Sequence, residues 1–129
     1  MNKKIKKILL KKNKSKIVSL TAYSKSIAKI LDKYIDIILV GDSMANVLYG
    51  HKNTHKINLE NIIQHTLSVK QGVKKSLLVV DMPKDSYKNL KIAEKNAKLL
   101  IKKTGCDAVK LENYKDNYNY KYLKSFGEK

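Results

Sequence analysis

Three apolar runs in this 129-residue chain end in groups able to do chemistry. Ile37-Ile38-Leu39-Val40 leads into Gly41, Asp42 and Ser43, Leu77-Leu78-Val79-Val80 leads into Asp81, and Ala108-Val109 leads into Lys110 and Glu112. A continuous Val/Ile/Leu run is the pattern of a parallel strand covered on both faces, and α/β folds gather ligands at the carboxyl ends of such strands. Strands side by side would therefore bring three carboxylates and one ammonium to one face. Oxygen donors with no cysteine or histidine cluster at ligand spacing suit a hard cation such as Mg2+, which keeps positions open for water and substrate oxygens. Lys110 and Glu112 are two apart, so on a strand they point the same way. A single terminal aspartate is as readily a turn or a helix cap; three carboxylates at equivalent strand ends are harder to account for in that way.

The remaining polar candidates read more plainly. His51 and His55 are four apart, but Lys52, Asn53 and Thr54 between them read as loop and no third soft ligand is near, so they make no zinc site. His65 lies in a helical pattern as a packed or capped histidine, and Cys106 opens a strand as a small core residue. Tyr114, Tyr118, Tyr120 and Tyr122 could stack bases, yet without arginine they read as a surface segment.

The elements that must position these groups follow from periodicity. Ile5, Ile8 and Leu9 give residues 3–12 one apolar side, a short helix covering one end of a core; a membrane-surface helix is the sharper alternative. Residues 17–21 form a first strand, Ala22 to Ser24 a loop, and Ile27, Ile30, Leu31 and Tyr34 a helix face. After the second strand, residues 43–58 make a long polar connection of the kind that covers sites. Asn58 caps a helix from Leu59 to about Gln71, which Gly72 ends as a C′ glycine. The third strand, 76–81, is followed at once by Pro83; a helix from about Leu90 to Lys103 stops at Gly105, and residues 106–112 form the fourth strand.

Strands alternating with amphipathic helices give an α/β fold with a parallel sheet and right-handed crossovers. Four βα units are half of a (β/α)8 barrel, which needs about 250 residues. The chain thus reads as one truncated barrel domain over 1–129: a Lys-rich N-terminal helix at 1–16, four βα units over 17–112, and a polar tail or partial helix at 113–129. A half barrel leaves two strand edges and one side of its inner layer open, so it is expected to form a homo-oligomer or to be completed by a second half-barrel chain.

The formal charge is +17, and all 28 basic residues are lysine. Readers of nucleic acid lean on arginine for bidentate and stacking contacts, so the charge reads as solvated surface without a specific nucleic-acid partner. Eight lysines within the first sixteen residues still allow weak affinity for polyanions. No apolar run approaches the roughly 20 residues of a membrane span, the N-terminus carries no small-residue cleavage site, and one cysteine excludes an internal disulfide. A soluble cytoplasmic protein without membrane partners is expected.

Taken in order, Leu20-Thr21-Ala22-Tyr23, Ile38-Leu39-Val40-Gly41-Asp42-Ser43, Asn58-Leu59-Glu60 with His65-Thr66, Val80-Asp81-Met82-Pro83 with Ser86-Tyr87, and Asp107-Ala108-Val109-Lys110-Leu111-Glu112 resemble the successive signatures of the ketopantoate hydroxymethyltransferases. The resemblance runs from about residue 16 to residue 112. It implies a phosphoenolpyruvate-mutase-like TIM barrel and transfer of a hydroxymethyl group from 5,10-methylenetetrahydrofolate to 3-methyl-2-oxobutanoate, giving 2-dehydropantoate for pantothenate biosynthesis, with Mg2+. It implies Asp42 and Asp81 as metal ligands, Glu112 as a further metal-site carboxylate, Ser43 as a contact to the 2-oxo acid and Lys110 as partner of its charged oxygens. Asp42 and Asp81 then also bind substrate through the metal.

Departures stand beside these matches. Ala45 and Asn46 replace a usual glycine and methionine, Lys84-Asp85 an aromatic-glycine pair, and Asn113-Tyr114 a glycine pair. The family's base is a glutamate in the second half of the barrel, so no catalytic base is expected among these residues. Alternatives are a non-catalytic fragment that binds Mg2+ and a 2-oxo acid or self-associates, a Lys-rich polyanion binder, and a related barrel lyase acting on another 2-oxo acid.

Overall fold

The computed structural model describes residues 2–112; the expected polar tail and its tyrosines lie outside them. The four β-prone runs become β1 (Ser19–Thr21), β2 (Ile37–Val40), β3 (Leu77–Asp81) and β4 (Ala108–Lys110). They form one parallel sheet in the order β1-β2-β3-β4. Each successive pair is joined through a helix, as parallel neighbours require. These are α2 (Lys25–Leu31), α4 (Leu59–Lys70) and α5 (Leu90–Thr104), with α1 (Lys3–Lys11) ahead of the sheet and a short α3 (Met44–Val47) after β2. The arrangement is the first half of a (β/α)8 barrel preceded by an N-terminal helix. No helix among the described residues is long and apolar enough to cross a membrane.

The core lies between the sheet and its helices. Ile38, Val40, Leu78 and Val80 are fully buried there together with Ile62, Val69 and Leu100 from α4 and α5. Their neighbours Ile37, Leu39 and Val79 point to the other face and are only half-buried, as expected of an inner barrel layer with one side open. Asp81 and Lys110 share that face, since they are partners in the register β3–β4.

α1 crosses the amino ends of the strands. Its Lys11 ammonium meets Asp36 Oδ1 at 2.7 Å, while Asn2 Nδ2 and Lys4 Nζ reach Asp107 at 2.6 and 3.2 Å. Asp36 and Asp107 immediately precede β2 and β4, so α1 closes the end of the sheet opposite to Asp42 and Asp81. On α1 itself Ile5 and Ile8 are half-buried, whereas Leu9, expected on the same covering side, is exposed.

Two expectations change. Gly72 is not a left-handed C′ residue; the glycines with positive φ among the described residues are Gly50 and Gly105. Gly72 is needed for close packing, because a Cβ there would lie 2.5 Å from Lys25 O and 2.8 Å from Lys29 N, both backbone atoms of α2. The connection 43–58 is also less open than its polarity implied. It contains α3, whose Met44 and Ala45 are fully buried, and a 3-10 turn at Thr54–Lys56. Asn46 Nδ2 donates to His51 O at 2.7 Å and His51 N to Ala45 O at 2.8 Å, folding the loop back on the core.

Candidate functional site

The register that aligns Val40, Val80 and Val109 across the sheet carries the chain ends into one rim at the next residue. There Lys110 Nζ meets Asp81 Oδ1 at 2.6 Å and Glu112 Oε1 at 3.5 Å. The other oxygen of Asp81, Oδ2, accepts from the backbone N–H of Asp42 at 3.3 Å. Gly41 makes this approach possible: a Cβ on it would stand 3.3 Å from Asp81 Oδ2 and 3.1 Å from Ser43 Oγ. Ser43 Oγ in turn lies 2.6 Å from the Tyr23 hydroxyl.

The electrostatics follow from three carboxylates facing one ammonium. Burial pushes the Asp42 carboxyl above the usual aspartate range; a Thr54 hydrogen bond and the Lys110 charge oppose this, while the charges of Asp81 and Glu112 add to it. Burial alone would lower the Lys110 ammonium, but its hydrogen bond to Asp81 and the charges of Asp81 and Glu112 raise it above the ordinary lysine value. Tyr87 is raised by burial and by the negative charge of Glu112, against a backbone hydrogen bond from that residue.

Asp42, Asp81, Lys110 and Glu112 are thus brought together, and Ser43 joins them through the shared approach to Gly41. Among the described residues no three His, Cys, Asp or Glu side chains form a group that could hold a metal; Asp81 and Glu112 instead both face the Lys110 ammonium. Asp42 and Asp81 offer oxygen atoms only, the donor type that suits Mg2+, which is commonly held by one or two carboxylates. The unfavourable burial of Asp42 beside other negative charge is what a cation would relieve.

Sequence reasoning missed Thr54, Tyr23 and Tyr87. The connection 43–58 was expected to cover a site, which put Thr54 in the right segment without singling it out. The resemblance quoted Tyr23 and Tyr87 without giving them a role. His65 is held as expected of a packed histidine: Nδ1 donates to Tyr23 O at 2.8 Å, and Nε2 lies 2.8 Å from the Tyr49 hydroxyl. His51 stacks near Tyr49, with ring centroids 5.9 Å apart, while His55 Nε2 faces Lys84 Nζ at 3.4 Å. A cleft of about 610 Å3 beside the rim is lined by His55, Lys84 and Lys103 among others and by none of the four converging groups.

A four-stranded parallel sheet alternating with helices, with carboxylates and a lysine at the carboxyl ends of its strands, defines the class: the first half of a (β/α)8 barrel. The chain belongs to the ketopantoate hydroxymethyltransferase family, whose sequence model matches residues 2–125. The match reaches beyond the quoted signatures at both ends. It is 57% identical over 115 residues to 3-methyl-2-oxobutanoate hydroxymethyltransferase of Pelagibacter ubique strain HTCC1062, covering 89% of this chain and 45% of that protein. The enzyme of the same name from Campylobacter fetus is 48% identical over 110 residues, covering 84% and 41%. That of Anaplasma marginale strain St. Maries is 47% identical over 105 residues, covering 81% and 38%. The chain therefore spans less than half the length of these relatives.

Proposed function

We propose that this chain contributes the metal-binding and 2-oxo-acid-binding half of an enzyme that transfers a hydroxymethyl group from 5,10-methylenetetrahydrofolate to 3-methyl-2-oxobutanoate, giving 2-dehydropantoate. The observation that carries the reading is the junction of Asp81 with Lys110 at 2.6 Å and with the Asp42 amide at 3.3 Å, at strand ends of a chain that belongs to this family. Asp42 and Asp81 are the residues to hold Mg2+, with Glu112 adding negative charge beyond Lys110. Bound Mg2+ would draw charge from the keto oxygen, acidifying the neighbouring C–H so that the carbon can attack the methylene group.

The chain's own side chains do the rest. Lys110 offers its ammonium to the charged oxygens of the 2-oxo acid, and its raised pKa keeps it cationic. Ser43 donates to the same ligand. The base that removes the C3 proton is supplied from outside these 129 residues, by a second half-barrel polypeptide or by a further segment. A second copy of this chain is the other candidate for the open strand edges. A cytoplasmic setting suits the single, free, buried Cys106.

Calorimetry tests the binding half of the proposal: 3-methyl-2-oxobutanoate should bind only with Mg2+ present, and Asp81→Asn should abolish that binding. Absence of any Mg2+-dependent binding would sink the reading. Deuterium exchange at C3 tests the division of labour. Exchange is expected to stay at background for the 129-residue chain with Mg2+ and no folate; exchange above background would place the base within it.

A further inference from the structure

The hydroxyl of Ser43 has one proton to give, and its neighbour decides where that proton points. Ser43 stands at the N-terminus of α3 but makes no capping bond to it. Its Oγ is instead 2.6 Å from the Tyr23 hydroxyl, close enough that one of the two must donate to the other. Tyr23 is held firmly for this role. Its half-buried ring packs against the core, and its carbonyl lies 2.8 Å from His65 Nδ1. A carbonyl can only accept, so Nδ1 carries the proton. In the neutral ring Nε2 is then an acceptor for the Tyr49 hydroxyl at 2.8 Å.

We propose that Tyr23 is a positioning residue for the 2-oxo acid: its phenol donates to Ser43 Oγ and thereby turns the serine proton toward the ligand. The inference rests on the reading that Ser43 faces the 2-oxo acid. A carboxylate and a keto oxygen have only lone pairs to offer. If Ser43 donated to Tyr23, it would present lone pairs to lone pairs; if Tyr23 donates, a chain runs phenol to serine to ligand, each bond polarising the next. The phenol is also the more acidic of the two hydroxyls. His65 fixes the Tyr23 main chain so that the donor arrives at a serine whose Oγ packs beside Gly41.

A double-mutant cycle on the full chain tests this. Affinity for 3-methyl-2-oxobutanoate at saturating Mg2+ is measured by calorimetry for the wild type, Tyr23→Phe, Ser43→Ala and the double variant, with thermal melts confirming the fold of each. Tyr23→Phe should weaken binding about threefold to tenfold, the scale of one hydrogen bond. The double variant should bind no worse than Ser43→Ala alone, a coupling that a merely structural tyrosine would not produce. Wild-type affinity in Tyr23→Phe, or losses that multiply in the double variant, would overturn this inference alone. A wild type that binds no 2-oxo acid would overturn both this inference and the proposed function beneath it.

Discussion

Gly41 is the residue on which the geometry of the rim turns. Its missing Cβ leaves room for Ser43 Oγ and Asp81 Oδ2, at 3.1 and 3.3 Å from where that carbon would be. Both neighbours are side-chain atoms, so Gly41→Ala should cost little stability, about 1 kcal/mol or less, while displacing two proposed ligand contacts by tenths of an ångström. The expected outcome is a nearly unchanged melting temperature with Mg2+-dependent 2-oxo-acid binding weakened at least severalfold. Equal binding would show that these two oxygens tolerate displacement. Asp85 offers a contrast in backbone terms. It adopts φ 70° at a position where the family resemblance has glycine. Left-handed backbone costs a β-branched residue more than aspartate, so Asp85→Val should destabilise by about 1–2 kcal/mol in urea melts and Asp85→Gly should not. Asp42, Asp81, Lys110 and Glu112 were legible in the sequence because each closes an apolar run. Tyr23 and Thr54 were not, because their bonds to Ser43 and Asp42 join separate loops that no local pattern connects.

At the scale of elements, the strand starts are tied by aspartates. Asp32 accepts from the amides of Lys74, Lys75 and Ser76 at 2.8 to 3.1 Å, Asp36 from Val18 N at 3.1 Å, and Asp107 from Leu78 N at 3.0 Å. Burial raises Asp32 and Asp107, but these amides, with Asn2 and Lys4 at Asp107, outweigh it; Lys11 and then Val18 lower Asp36. All three pKa values are depressed, so the folded protein binds these protons less tightly than the unfolded chain. Their stabilisation is complete above the unfolded value of about 3.9 and is lost as pH falls through the lower folded values. Urea melts should show the advantage of wild type over Asp32→Ala constant from about pH 7 to 5 and shrinking below about pH 4. An advantage still undiminished near pH 2 would mean that Asp32 acts by shape and not by charge. The helix ends divide similarly. Gly105, with φ 64°, was readable from the sequence as a C′ glycine. Gly72 was given the same role, and only the approach of α2 reveals its true one. Tertiary contact between α2 and α4 leaves no local signature, which is also why α3 went unread within a polar loop.

At the scale of the molecule, four alternating strands and helices were countable from the sequence, and their parallel order followed from chain handedness. What covers the flank of β1 was not, because an exposed apolar residue looks the same in sequence as a buried one. Among the described residues β1 pairs on one side only, and Leu20, Ile27 and Ile30 on β1 and α2 are 47, 47 and 58% exposed. An open strand edge with apolar neighbours favours association, yet two chains of charge +17 repel. Screening decides between these opposing terms, since the Debye length falls from about 30 Å at 0.01 M salt to about 3 Å at 1 M. Sedimentation velocity should therefore find the 129-residue chain mainly monomeric at low salt and self-associated as salt rises. Ile30→Asp separates the flank from general screening, because it lowers the net charge, which by repulsion alone would favour association, while placing a carboxylate on the apolar face of α2. The expected result is loss of the salt-induced species in Ile30→Asp and its retention in Leu67→Asp, a control of equal charge on α4. Stronger association in Ile30→Asp than in the wild type would mean that charge alone governs the contact and that the β1–α2 flank takes no part in it.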